Sequence, residues 1–90
     1  TETYYSRPDS ESLATSLHSL VLEATGFADR GIREAQFKVL EHTQMPAVLL
    51  ELGFLSNESD ERKMYTEQFQ ERVADAIATG IIHYLYTNGR

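Results

Sequence analysis

The chain has no cysteine, which excludes disulfide staples and thiolate metal sites. An exported bacterial protein and a cytosolic one are equally consistent with that absence. Basic residues are scarce: 8 Lys and Arg stand against 14 Asp and Glu, giving a net charge of −6 and a pI near 4.9. Phosphate binding wants Lys and Arg in clusters, and here they are scattered, which argues against nucleic acid as a partner. There is no run of about 18 apolar residues, so no segment reads as a membrane span. No secretory leader is recognisable, although a missing N-terminal half would conceal one. Internal repeats, low-complexity tracts and interdomain linkers are lacking too.

What is present suits a globular fold. Of 90 residues, 41% are hydrophobic and 24% charged, an ordinary balance that sets the chain apart from disordered ones. A chain this short allows one small domain and buries only about 60–65% of its unfolded surface. Its core is therefore marginal.

Thr1 to Ser6 is rich in β-branched and aromatic residues and reads as a strand, broken by Arg7-Pro8-Asp9. Asp9 or Ser10 can cap the next helix. Leu13, Leu17, Leu20, Val21 and Ala24 then mark one face of an amphipathic helix, with Gly26 as its stop. Gly26 to Glu34 reads as a loop, Phe37 to Leu40 as a second strand and Ala47 to Leu52 as a third, with Pro46 where a ladder N–H is not needed. Ser56 or Asn57 can cap a short helix through about Tyr65. Thr66 can cap the last helix, whose stripe is Phe69, Val73, Ile77, Ile81 and Tyr84 or Leu85, and which Asn88-Gly89 ends. Gly80 inside it costs about 1 kcal/mol against Ala, which points to a close packing contact there. The expected class is α/β: part of a single twisted mixed sheet flanked by helices, with three strands and about three helices in this chain.

The most informative segment is Pro46-Ala47-Val48-Leu49-Leu50-Glu51-Leu52-Gly53-Phe54-Leu55-Ser56-Asn57. A nearly unbroken apolar run with turn signals at its ends reads as a strand buried on both faces. Glu51 closes it, and carboxylates are rarely buried without a partner. Ligands of open α/β sheets sit beyond the carboxyl ends of the strands, which makes Glu51 the first candidate for chemistry. A salt-bridged or edge carboxylate explains the pattern equally well.

Read with Asp29-Arg30-Gly31-Ile32 and Phe37-Lys38-Val39-Leu40, this segment resembles the C-terminal half of the zinc-dependent N-acetylmuramoyl-L-alanine amidases of the type 3 family, bacterial enzymes that cut peptidoglycan. Thr1 to Tyr5, Ser12-Leu13-Ala14 and Gln70 through Tyr84 extend the match along the chain. No single motif carries it; their order and spacing do. The resemblance implies hydrolysis of the amide between N-acetylmuramic acid and L-alanine, with Glu51 as general base and then general acid. It implies Zn²⁺ bound by two His and a Glu, all upstream of Thr1. Residues 1–90 would then be the C-terminal portion of one catalytic domain with no second domain, inactive alone. Its partners would be peptidoglycan and the missing N-terminal half, acting outside the cell, in the wall or periplasm of a bacterium. Bacterial walls are often anionic, so wall affinity would not come from this acidic segment's charge. The alternative is a metal-free module on the same fold that binds wall or a partner protein.

The other candidates are weaker. His18, His42 and His83 lack His-x-x-x-His or His-Glu-x-x-His spacing and match no ligand of the resembled family, so they are expected to be structural or solvent-facing. Arg30 either steers carboxylates or glycan of the substrate or pairs with Asp29 at the surface. Gly53 is expected to allow a tight turn or positive φ, and Asn57 to cap a helix. Tyr4 and Tyr5 alternate across a strand, with core packing favoured over lining a cleft. Glu58, Asp60 and Glu61 lack the alternating ligands and central Gly of a calcium loop and read as a solvated helix start.

Overall fold

The computed structural model describes residues 1–53 and 58–88. Strand β1 (Glu2–Tyr5) leads through a 3-10 turn at Pro8–Ser10 into helix α1 (Glu11–Thr25). Strand β2 (Ile32–Glu34), one-turn helix α2 (Lys38–Glu41) and strand β3 (Leu49–Glu51) follow. Helices α3 (Glu58–Met64) and α4 (Glu67–Asn88) complete the chain. The fold is α/β, with a three-stranded mixed sheet in the order β2-β1-β3. β1 pairs parallel with β2 (Thr3 opposite Ile32) and antiparallel with β3 (Glu2 opposite Glu51). The parallel pair needs a crossover, and α1 is that crossover.

The helices follow their sequence signals closely. α1 buries Ala14, Leu17 and Val21 and stops at Gly26, whose φ of 68° is left-handed. Ser10 takes the N-cap position without capping: its hydroxyl accepts the Ala47 N–H at 3.0 Å and so ties the approach of β3 to the start of α1. Thr66 does cap α4, accepting the Phe69 N–H at 3.2 Å. Phe69 and Val73 are buried, whereas Ile81 and Leu85 further along the expected stripe are exposed. The expected caps Ser56 and Asn57, and the stop at Gly89, lie outside the described residues.

Gly80 is where α4 meets α1. A Cβ built there would lie 2.7 Å from Leu17 Cδ2 and 3.3 Å from both Leu17 Cα and the Ser16 carbonyl oxygen. A Cβ would be tight against that backbone and would displace the end of the Leu17 side chain, so the glycine permits the close approach of the two helices. Gly80→Val adds a branched side chain that the neighbouring backbone has no room to yield to, and is expected to lower stability by roughly 1–3 kcal/mol. Urea unfolding reads this; an unchanged midpoint would show that the helices separate at no cost.

The middle of the chain departs from expectation. The second strand is not Phe37–Leu40: that stretch forms α2, and the strand is Ile32–Glu34, inside the expected loop. A four-residue stretch with one charge, Phe37-Lys38-Val39-Leu40, carries no decisive period, so pairing with β1 decides the outcome. Phe37 serves packing instead, with its ring edge-on to Tyr4 at 5.3 Å and 88°. Ala47–Leu52 is regular only over Leu49–Glu51, and it lies half-buried at the sheet edge instead of buried on both faces.

Candidate active site

Alternation along β1 divides its residues between two faces. Thr1, Thr3 and Tyr5 meet α1: Thr1 Oγ1 lies 2.8 Å from Thr25 Oγ1, Thr3 Oγ1 2.8 Å from His18 Nδ1, and the Tyr5 hydroxyl 3.2 Å from Glu11 Oε2. Glu2 and Tyr4 therefore point to the opposite face. Directly paired residues share a face, so Glu51, opposite Glu2, and Arg33, opposite Tyr4, join them there.

Glu51 is exposed at the carboxyl end of β3. Because β3 runs antiparallel, this is the amino end of β1 and β2, so the rule of ligands beyond strand carboxyl ends holds for β3 alone. The Thr1 hydroxyl donates to the Leu52 carbonyl at 2.8 Å and fixes the chain just beyond Glu51. Of the two alternatives expected of Gly53, a tight turn or a positive φ, the positive φ is not taken; the residue yields space to Phe27, whose ring carbons would stand 2.8 and 2.9 Å from a Cβ.

Arg30 lies at the same end of the sheet. Its N–H donates to the Thr1 carbonyl at 2.9 Å, and the Thr3 N–H donates to the Gly31 carbonyl at 3.1 Å. Gly31 makes the turn with φ 88°, a conformation that suits glycine. Asp29 orders this loop. One of its carboxylate oxygens accepts the Gly31 N–H and lies against His18 Nε2, each at 2.8 Å. Those bonds, His18 first, hold the Asp29 carboxyl below the usual carboxylate range. Asp29 is thus paired with His18.

His18 is buried and has both ring nitrogens engaged, a structural role linking β1, α1 and the loop. His42 and His83 are exposed. Among the described residues no three His, Cys, Asp or Glu converge to hold a metal ion by themselves.

Sequence reasoning missed the group beside Glu51. Glu2 is buried, with its carboxylate 2.7 Å from Arg33 Nε and accepting the Tyr4 hydroxyl. The bond to Glu2 first, then partial desolvation, then the charges of Glu2 and Glu51 hold the Tyr4 phenol above its ordinary value, while Arg33 acts the other way. Glu2 and Tyr4 two apart on a strand were a visible signal, but Arg33 could be placed only once β2 was known.

Residues 1–83 match the family described as N-acetylmuramoyl-L-alanine amidase. A protein of Bacillus subtilis strain 168 named YqiI, described as uncharacterized, is 42% identical over 93% of this chain and 43% of its own length. A probable cell wall amidase, LytH, of Staphylococcus epidermidis is 37% identical over 90% of the chain and 28% of its own. The catalytic domain of CwlV, an N-acetylmuramoyl-L-alanine amidase from Bacillus (Paenibacillus) polymyxa var. colistinus, superposes with a TM-score of 0.89 at 51% identity, over 93% of this chain and 47% of that one. An N-acetylmuramoyl-L-alanine amidase from Clostridium difficile 630 also gives 0.89, at 37% identity over 97% and 48%. The chain spans less than half the length of these relatives.

Proposed function

Because the chain belongs to the N-acetylmuramoyl-L-alanine amidase family, we propose that it supplies one part of a peptidoglycan amidase centre in which Glu51 carries the proton. The observation behind this reading is the placement of Glu51: an exposed carboxylate at a sheet end shared with Arg30, on a face that also bears Glu2, Tyr4 and Arg33. The substrate bond joins the lactyl carbonyl of N-acetylmuramic acid to the nitrogen of L-alanine. As water adds to that carbonyl, Glu51 accepts its proton; as the C–N bond breaks, Glu51 returns the proton to the departing nitrogen. The products are a lactyl carboxylate and a free alanine amine.

Zinc, which this family's chemistry implies, would be bound by residues outside this chain, since the donors described here do not converge. Residues 1–90 form the C-terminal portion of the catalytic domain in this reading and are inactive without the remainder. Arg30 is a cation at the same sheet end and would help to steer the substrate's carboxylates. The site of action is the bacterial wall, outside the cell or in the periplasm; no described helix is long and apolar enough to cross a membrane.

The test is the identity of the bond cut. Purified peptidoglycan treated with the complete catalytic domain should gain free α-amine on L-alanine and free lactyl carboxylate on muramic acid in equal amounts. New reducing sugar ends, new amines on other residues, or wall binding without any new termini would overturn the proposal, the last in favour of a metal-free binding module.

A further inference from the structure

The ion pair between Glu2 and Arg33 is lopsided. The Glu2 side chain is 8% exposed and the Arg33 side chain 60% exposed. A buried carboxylate is costly unless fully partnered, and this one is held by Arg33 and the Tyr4 hydroxyl while facing a second carboxylate across the strands. Directly opposite like charges destabilise a sheet. A staple between β1 and β2 would not need a carboxylate at that point; an apolar pair would do as well. The arrangement does accomplish one thing: it fixes an exposed guanidinium over Glu2, one strand from Glu51.

Among the described residues, both hydrogen-bonding contacts of the Arg33 guanidinium, to Glu2 and to the Arg30 carbonyl at 3.5 Å, run through Nε. The two Nη groups remain as a fork of donors, the geometry that takes a carboxylate two-pronged. In a chain of net charge −6, long-range attraction will not bring an anionic ligand here. A local fixed cation can.

We propose that Arg33, positioned by Glu2, binds a carboxylate on the peptide side of the scissile amide and makes this face selective for substrates that carry one next to the alanine. This rests on the reading of the Glu51 end of the sheet as the catalytic centre. The carboxylate neutralises the outer edge of the guanidinium as Glu2 neutralises the inner one, and the alanine nitrogen is brought toward Glu51.

The experiment compares N-acetylmuramoyl-L-alanyl-D-glutamate with the same compound carrying its α-carboxylate as a carboxamide, using the complete catalytic domain. Wild type should favour the free acid in kcat/KM by roughly ten-fold or more, the size of a charge-assisted hydrogen bond. Arg33→Gln should raise KM for the acid by about that factor, leave KM for the carboxamide unchanged and keep kcat within about two-fold. Arg33→Lys should keep part of the preference, since it retains charge without the fork. If Arg33→Gln fails to fold with Glu2 left unpaired, the double variant Glu2→Gln/Arg33→Gln removes both charges and should show the same loss of discrimination. Equal losses on both substrates, or a fall confined to kcat, would make the pair a structural staple and overturn the inference. Glu51→Gln separates this from the underlying reading: it should abolish turnover of both compounds while the binding preference for the acid persists. An active Glu51→Gln enzyme that still discriminates would sink the catalytic reading and leave Arg33 as an anion site.

Discussion

Phe69→Ala is expected to cost about 3–5 kcal/mol, the range for removing a well-packed aromatic ring. Phe69 is 2% exposed and sits in the first turn of α4. Its ring lies 5.3 Å from that of Phe27, tilted by 32°, and the Arg72 guanidinium covers it at 5.9 Å. Phe27 in turn occupies the space that Gly53 leaves open, two residues beyond Glu51. The cavity would thus open between α4 and the exit of β3, in a core whose other fully apolar members are few: Ala14, Leu17, Val21, Leu40 and Val73 among the described residues. A loss of this size is a large share of the roughly 5–15 kcal/mol that holds a domain together. Urea unfolding of wild type and variant measures it through the midpoint. A loss under about 1 kcal/mol would mean that the site collapses around the missing ring and that the Phe27–Phe69 contact is dispensable.

The two long helices were legible because their signals are local and repeated. Leu13, Leu17 and Val21 recur at helical spacing, Gly26 supplies the left-handed stop, and Gly80 announces a contact that the structure finds against Leu17. β1 was legible for the same reason. The segment from Gly31 to Glu41 was not, because its order depends on a partner strand: Ile32-Arg33-Glu34 becomes a strand only by lying beside Thr3 to Tyr5, and Lys38 to Glu41 is then free to coil. Burial of β3 was overstated, since an apolar run does not reveal whether both flanks of a strand are covered.

The candidate site was half legible. Glu51 stood out as a charge ending an apolar run, yet its significance comes from the order of the surrounding motifs, because by exposure alone it is an ordinary edge carboxylate. The bridge that His18 makes from Thr3 to Asp29 was not legible, because it joins residues 15 and 11 positions away that no spacing rule connects. Glu2 with Arg33 escaped for the same reason.

Glu51→Gln bears most heavily on the account. Glutamine keeps the size and shape of the side chain but neither accepts nor returns a proton at neutral pH. Positioned acid–base groups contribute about 10²–10⁴-fold, so turnover should fall by at least that factor. Stability should stay within about 0.5 kcal/mol, because Glu51 is exposed and surface exchanges of this kind change little. Zinc content should also hold, because the proposal gives Glu51 the proton and places the ligands elsewhere. The decisive measurement is amide cleavage of purified peptidoglycan by wild-type and Glu51→Gln catalytic domain, with zinc determined on the same samples. The account predicts turnover lower by about 10²-fold or more with zinc unchanged. Near-wild-type turnover, or activity and zinc lost together, would contradict it.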